Sequence, residues 1–450
     1  MLLGSHRIIG GRFKLVTDAE DSVLFEKEII IPLNKGRNLL QYFKNCVANI
    51  LSPNQTLVRF VVTKTDSEGY HCELGILNDS GVEDQTNDYV FEYKQREFEN
   101  VDKYNVVMLI PTGIGAEIGG HAGDATPVAR LLSGVCDTLI LHPNVVNASD
   151  INEIPSNSLY VEGSIISRLF MGTVGLRRVR SNKIVMVVDK HKENEVNEFV
   201  INAASAARTT LGADIEIVMI DPPTHAVASY SSSGSAIGKV EGIGRVVYRL
   251  QQMKDYDAVA VISRVDVPEE LIEKYFKSGG KIINPWGGVE AMITHSISSL
   301  LNLPSAHAPI MQTIDDLDES MGVVDPRMAS EVISKTFLYC VLKGLHTSPT
   351  IVTDDITQSG VLSVNDISCL VIPDKCVGIP VLAAIEQGIT VIAVRDNRNK
   401  MENDLAKYPF KKGKLYFVDN YFEAAGLITS FRKGINAGAI SRPVKKTVIK

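Results

Sequence analysis

Val106-Val107-Met108-Leu109-Ile110-Pro111-Thr112-Gly113-Ile114-Gly115-Ala116-Glu117-Ile118-Gly119-Gly120-His121-Ala122-Gly123-Asp124 runs from an unbroken apolar stretch into a loop with five glycines in eleven positions. The apolar stretch reads as a strand buried on both faces, as in parallel sheets. Ala125 to Leu132 then reads as a helix, which completes one unit of an α/β fold. Glycine permits φ > 0 and close backbone approach, and a loop opening on a helix N-terminus offers N–H groups to an anion. Thr112, Gly113, Gly115, Gly119 and Gly120 are therefore the expected contacts to a small anionic ligand. Asp124 is either a helix cap or a catalytic carboxylate. Ile118 stands where a dinucleotide fingerprint needs its last glycine, which turns the reading away from a dehydrogenase.

Comparable apolar runs recur at Thr138 to Leu141, Ile184 to Val188, Ile215 to Ile220, Ala258 to Ile262, Cys369 to Ile372, Thr390 to Val394 and Leu415 to Val418, with helical periodicity between them. That is too many strands for one compact sheet. The expected fold class is α/β: two Rossmann-like lobes with mostly parallel sheets and a cleft between them, over residues 99–450, splitting between 180 and 350. Residues 1–98 read differently. Arg12 to Val16 and Leu24 to Ile31 suggest strands, Arg37 to Leu51 an amphipathic helix, and Leu57 to Leu77 a hairpin turning at Asp66-Ser67-Glu68-Gly69. This is expected to be a small N-terminal α+β accessory domain without chemistry.

At 450 residues, 45% hydrophobic and 22% charged, the chain is ordinary globular protein with ample core. A net charge of −7 and no broad basic stripe exclude a nucleic-acid groove as the main function. No apolar run reaches the roughly 18 residues a bilayer span needs, so no membrane partner is expected. The six cysteines lack C-x-x-C spacing, and no signal-peptide core precedes the first strand; reduced thiols and a cytoplasmic location are expected. A homo-oligomer is compatible with this composition, and no cofactor is indicated. A metal site from His295, His307 and Asp325 has only generic spacing, and none is assigned.

Polar residues at the ends of apolar elements supply the chemistry. His142-Pro143-Asn144-Val145-Val146-Asn147 leaves a strand at its C-terminal end, where α/β ligand crevices lie, so His142, Asn144 and Asn147 are candidates unless they only bond their own turn. Glu162, beside Gly163, suits acid, base or cap. Ser231 to Gly244 offers Ser233, Ser235 and Lys239 to an anion, or a Ser–Lys nucleophile pair, or is a solvated loop. Glu290 and His295 are five apart and so lie on different faces of one helix, and His307, among small residues, reads as a loop residue presented to a pocket. Gly378 to Val394 reads as a helix started by Pro380 and stopped by Gly388. It is similar to the donor-binding segment of nucleotide-sugar glycosyltransferases, where the helix start meets a phosphate.

Residues 111–130, 142–147, 159–163, 287–295, 306–309 and 336–345 together resemble one bacterial domain-of-unknown-function family, marked by the block P-T-G-I-G-A-x-I-G-G-x-A-G-D-A. The resemblance spans roughly 104–400 and implies no activity. His121 and Lys239 depart from the family pattern, so it gives them no role. In outline, 231–234, 238–244 and 287–295 are also similar to segments of ring-opening amidohydrolases, which use Ser–Lys pairs, although Trp286 replaces a serine of that pattern. The expected function is hydrolase or lyase chemistry on a small anionic metabolite between the lobes, with Asp124, His142, Glu162, Glu290 and His307 as catalytic candidates. The alternatives are Ser–Lys opening of a cyclic amide and a non-catalytic metabolite sensor.

Overall fold

The computed structural model describes residues 22–34, 36, 38–78, 89–148, 151–311, 313, 322–333, 337–444 and 446–449, with strand backbone alone at 14–15, 82–83, 147–148 and 151–152. The strand beginning at Val106 is the third of six in a wholly parallel sheet, ordered Ser158–Tyr160, Thr138–Leu141, Asn105–Met108, Ile367–Pro373, Thr390–Val394, Leu415–Val418. Every residue of the two central strands is buried, as apolar runs covered on both faces require. In chain order the sheet reads 3-2-1-4-5-6, the doubly wound order. Its topological switch point lies between Asn105–Met108 and Ile367–Pro373. Helix Ile379–Gln387 starts with Pro380 in its first turn and ends on Gly388 at φ +66°, as read from the sequence.

Between strands 3 and 4 of this sheet the chain builds a second lobe. Its sheet is also wholly parallel, ordered Asp214–Ile220, Lys183–Asp189, Ala258–Ser263, Ser305–Pro309. The two Rossmann-like α/β lobes are thus present. The first lobe, however, is discontinuous in sequence, closed by segments on both sides of the second.

A seven-stranded mixed sheet joins the parts. Its order is Val265–Asp266, His225–Tyr230, Ala236–Glu241, Val23–Ile31, Tyr70–Asn78, Gln55–Thr65, Val377–Gly378. The three N-terminal strands therefore lie between a hairpin of the second lobe and a short strand of the first, and the expected boundary near 98 is not a sheet boundary. The expected strand at Arg12 to Val16 falls mostly outside the described residues; its Lys14–Leu15 part pairs with Val82–Glu83. Helix Gly287–Leu301 packs at the centre, against this sheet, strand Ser305–Pro309 and helix Gly163–Phe170. It is buried almost all round, which explains its run of apolar and small residues.

Candidate functional site

The C-terminal ends of both parallel sheets open onto a cavity of about 950 Å³, lined from the first lobe by Thr112, His142 and Asn144 and from the second by Arg264 to Pro268, Glu290 and His307. A smaller chamber of about 120 Å³ lies at the switch point, between the loop after Met108 and the Cys376–Val381 segment. Thr112, His142 and Ala291 line both spaces. This is where an α/β sheet is built to hold a ligand.

One helix equips both spaces. Glu290 and His295, both on Gly287–Leu301, turn to opposite lobes and each takes a partner there. His295 Nδ1 lies 2.5 Å from Glu162 Oε1, and the imidazole is 15% exposed against 2% for the carboxylate. Glu290 Oε1 lies 3.5 Å from His307 Nδ1, and here the carboxylate is the open member, 27% against 1%. The second imidazole makes its hydrogen bond at its other end, Nε2 lying 2.9 Å from Ser263 Oγ, while Nδ1 has no hydrogen-bond partner among the described residues. Ser263, His307 and Glu290 thus follow the atom pattern of a serine triad. Ser263 is buried, however, and is not among the residues lining the cavity, so its hydroxyl is not presented to that space.

Glu162 also caps helix Gly163–Phe170. Its Oε2 accepts from Ser164 N at 2.8 Å, from Ile165 N at 3.3 Å and from the Ser164 hydroxyl. Burial alone would raise this carboxyl; the charge and hydrogen bond of His295, with Ser164 and His142, outweigh it and hold it at about 2. His142 is 8% exposed, and burial, only partly offset by Glu162, lowers it to about 4, so it is a neutral imidazole. Gly163 makes room for both rings. A Cβ there would sit 2.8 Å from His295 Cε1 and 3.1 Å from His142 Nε2.

The glycine loop does not do what its composition suggests. Gly113, Gly115, Gly119 and Gly120 line neither space; they approach protein instead. A Cβ at Gly120 would lie 2.1 Å from the Ala116 carbonyl oxygen, and the Gly113 carbonyl accepts from Ala236 N at 2.9 Å. The loop N–H groups at 117, 118, 119 and 122 go to Arg398 O, Asn397, Asp124 and Glu331. Asp124 is one of those acceptors, at 2.8 Å from Gly119 N, and lines neither space. Glu117 pairs with Arg327 at 2.9 Å, while His121 is buried against Tyr275 at 2.8 Å. Asn144 does line the cavity and donates to the Gly119 carbonyl at 2.8 Å. Asn147 lies in a short strand whose side chains are outside the described residues.

The serine-rich segment is also corrected. Ser231 and Ser233 each donate to Glu73 Oε1 at 2.8 Å, and Ser233 shares a 2.9 Å hydrogen bond with Ser235. Lys239, half exposed, bonds Glu241 at 2.6 Å. No Ser–Lys pair forms there. His307 is a strand residue, not a loop residue: small neighbours let Ser305–Pro309 pack as the edge strand of its sheet. His295, His307 and Asp325 do not converge into a metal-binding set; among the described residues only Asp66, Glu68 and His71 do, at an exposed hairpin turn.

The N-terminal segment, expected to hold no chemistry, contributes Arg59 to the chamber wall. Its guanidinium bonds Glu26 and lies 3.6 Å from Glu73, both carboxylates being nearly inaccessible. Glu26 and Arg59 both register opposite Gly75, where a Cβ would meet Arg59 Cβ at 2.9 Å. The sequence signal was there: a lone arginine, Arg59, inside the apolar run Leu57 to Thr63, and charges at Glu26 to Glu28 inside the run Leu24 to Ile31.

The chain belongs to the family described as protein of unknown function, DUF3326, whose profile matches residues 105–441. It is 33% identical over 343 residues to an uncharacterized lipoprotein of Synechococcus, covering 74% of this chain and 92% of that protein. No solved structure matches it. Among the described residues no helix is long and apolar enough to cross a membrane.

Proposed function

We propose that this protein is an enzyme that moves protons on a small carboxylate- or phosphate-bearing metabolite, with hydrolase or lyase chemistry, in the cavity between its lobes. The supporting observation is helix Gly287–Leu301. It brings an accessible carboxylate and an accessible imidazole to the two sides of one junction, each backed by a buried partner. General acid–base catalysis needs such a pair, one group taking a proton while the other gives one. In this reading Glu290 is the base, held in place by His307. His295 donates from Nε2, since Nδ1 is engaged by Glu162. Neutral His142 at the junction hydrogen-bonds the reacting group.

Glu162 and His307 are positioning residues on this account, and Asp124 has no part in the chemistry. The setting we propose is the cytoplasm, in keeping with six free cysteines. The relative named a lipoprotein makes anchorage at a membrane the alternative that cell fractionation decides. The test is a panel of phosphorylated and carboxylated metabolites assayed for product. Glu290→Gln and His295→Asn should each cost about 10²–10⁴-fold in turnover, the usual yield of a positioned acid or base. Tight binding of a panel member that is never converted would identify a sensor instead.

A further inference from the structure

We infer that the 120 Å³ chamber at the switch point is the subsite for the ligand's single oxyanion group, a carboxylate or a phosphate, and that the rest of the ligand passes Thr112 into the larger cavity. This rests on the proton-transfer reading for the identity of the larger cavity, but not for the anion site itself.

Charge separates the two spaces. The charged side chains lining the chamber are Arg59 and Arg168, and among the described residues no acidic side chain lines it. The larger cavity has the opposite balance: Asp266, Glu269, Glu290 and Glu331 against Arg264. An anionic group in the chamber therefore meets two guanidinium side chains and no lining carboxylate, whereas the larger cavity sets four carboxylates against it. Size agrees. The chamber is about 120 Å³ against about 950 Å³ for the larger cavity, so it takes the smaller part of a ligand that occupies both.

The donors are in place. Thr112 Oγ1 is shut off from solvent with no hydrogen-bond partner among the described residues, at the mouth shared by both spaces. Native proteins seldom leave such a hydroxyl unmet, and because Thr112 lines both spaces a rotation about its Cα–Cβ bond would bring the hydroxyl to a ligand acceptor there. Helix Ile379–Gln387 begins at the chamber wall, and its N-cap, Gly378, provides no side-chain cap. Pro380 has no N–H, so the amides this helix start offers are those of Ile379 and Val381, both residues of the chamber wall like Arg59. Arg168 is committed elsewhere, donating to Asn302 Oδ1 at 2.5 Å and to Ser298 O at 3.1 Å, and adds charge alone. Arg59 is held from behind by Glu26 and Glu73, which fixes the fork's direction.

The experiment titrates the full-length protein with inorganic phosphate, acetate and acetamide by calorimetry, with ³¹P line broadening as a second readout for phosphate. Saturable binding of phosphate or acetate at one site is expected, tighter for whichever group the ligand carries, and acetamide should bind neither well nor at that site. Thr112→Val should weaken the anion about tenfold and leave the melting temperature the same or higher, because the hydroxyl it removes has no partner in the resting protein. Arg59→Lys keeps the charge facing Glu26 and Glu73 but loses the fork, and should weaken the anion by a similar factor. Unchanged affinity in both variants, or acetamide matching acetate, would overturn the subsite. Binding is read without turnover, so its failure would leave the acid–base reading to its own test.

Discussion

Glu162 serves two structures with one carboxylate: Oε2 caps a helix and Oε1 holds His295. Its pKa lies near 2 against an ordinary 4.5, so the stabilisation it gives is complete above about 4.5 and is lost as pH falls toward 2. Glu162→Gln should therefore unfold at lower urea at pH 7, by about 3 kcal/mol for a broken buried pair. The gap from the parent should narrow steadily between pH 5 and pH 3; a constant gap would mean that Glu162 matters by shape alone. Asp124 has the opposite sign. Burial lifts it to about 7, so its contribution is greatest below 3.8 and fades as pH rises through 7. Asp124→Asn keeps an oxygen for Gly119 N. It should gain on the parent in urea midpoint from pH 4 to pH 8 while turnover holds within a few-fold, and a hundredfold loss of turnover would return Asp124 to the chemistry. At this scale the sequence showed His142, Glu162, Glu290 and His307 as polar residues closing apolar elements. It could not show that glycines 113–120 approach protein rather than ligand, because close backbone approach demands glycine in either case.

Helix Gly287–Leu301 is the element on which the site depends, and its start admits no side chain. A Cβ at Gly288 would lie 2.1 Å from the carbonyl oxygen of Ala236, which is backbone and cannot swing away. Gly288→Ala should cost about 3 kcal/mol in denaturant unfolding, the upper end for an overpacked core. It should also slow any reaction, because the hairpin it displaces lies against the same helix; full stability and activity would show that the helix slides freely. The parallel strands were legible as elements because burial on both faces leaves an apolar run. The hairpin His225–Tyr230 and Ala236–Glu241 was not, since its strands alternate small, polar and charged residues. Nor was Ser305–Pro309, whose small side chains carry little apolar signal.

For the molecule as a whole, the decisive fact is that one sheet draws strands from the N-terminal segment and from both lobes. Local pattern identified the N-terminal strands and helix but not their neighbours, because pairing partners lie more than 150 positions away, as between Phe25 and Lys239, and hydrophobic periodicity carries no information at that range. A segment that looked detachable is therefore the middle of a shared sheet. Removing it would leave Ala236–Glu241 and Val377–Gly378 with open edges, uncover the face of helix Gly287–Leu301 that packs on Gln55–Thr65, and take Arg59 out of the chamber. Open edges and a bared apolar face are the conditions for aggregation rather than for a trimmed, stable remainder. The 99–450 fragment is thus expected to be insoluble or molten, with weak near-ultraviolet circular dichroism. The full chain should unfold with the N-terminal and lobe probes moving together: the protection of Leu74 and Val261 amides from hydrogen exchange should collapse at the same denaturant concentration. If 99–450 instead gives a monodisperse, cooperatively unfolding protein, the sheet is a docking surface between two independent bodies. The chamber would then open and close as the N-terminal strands come and go.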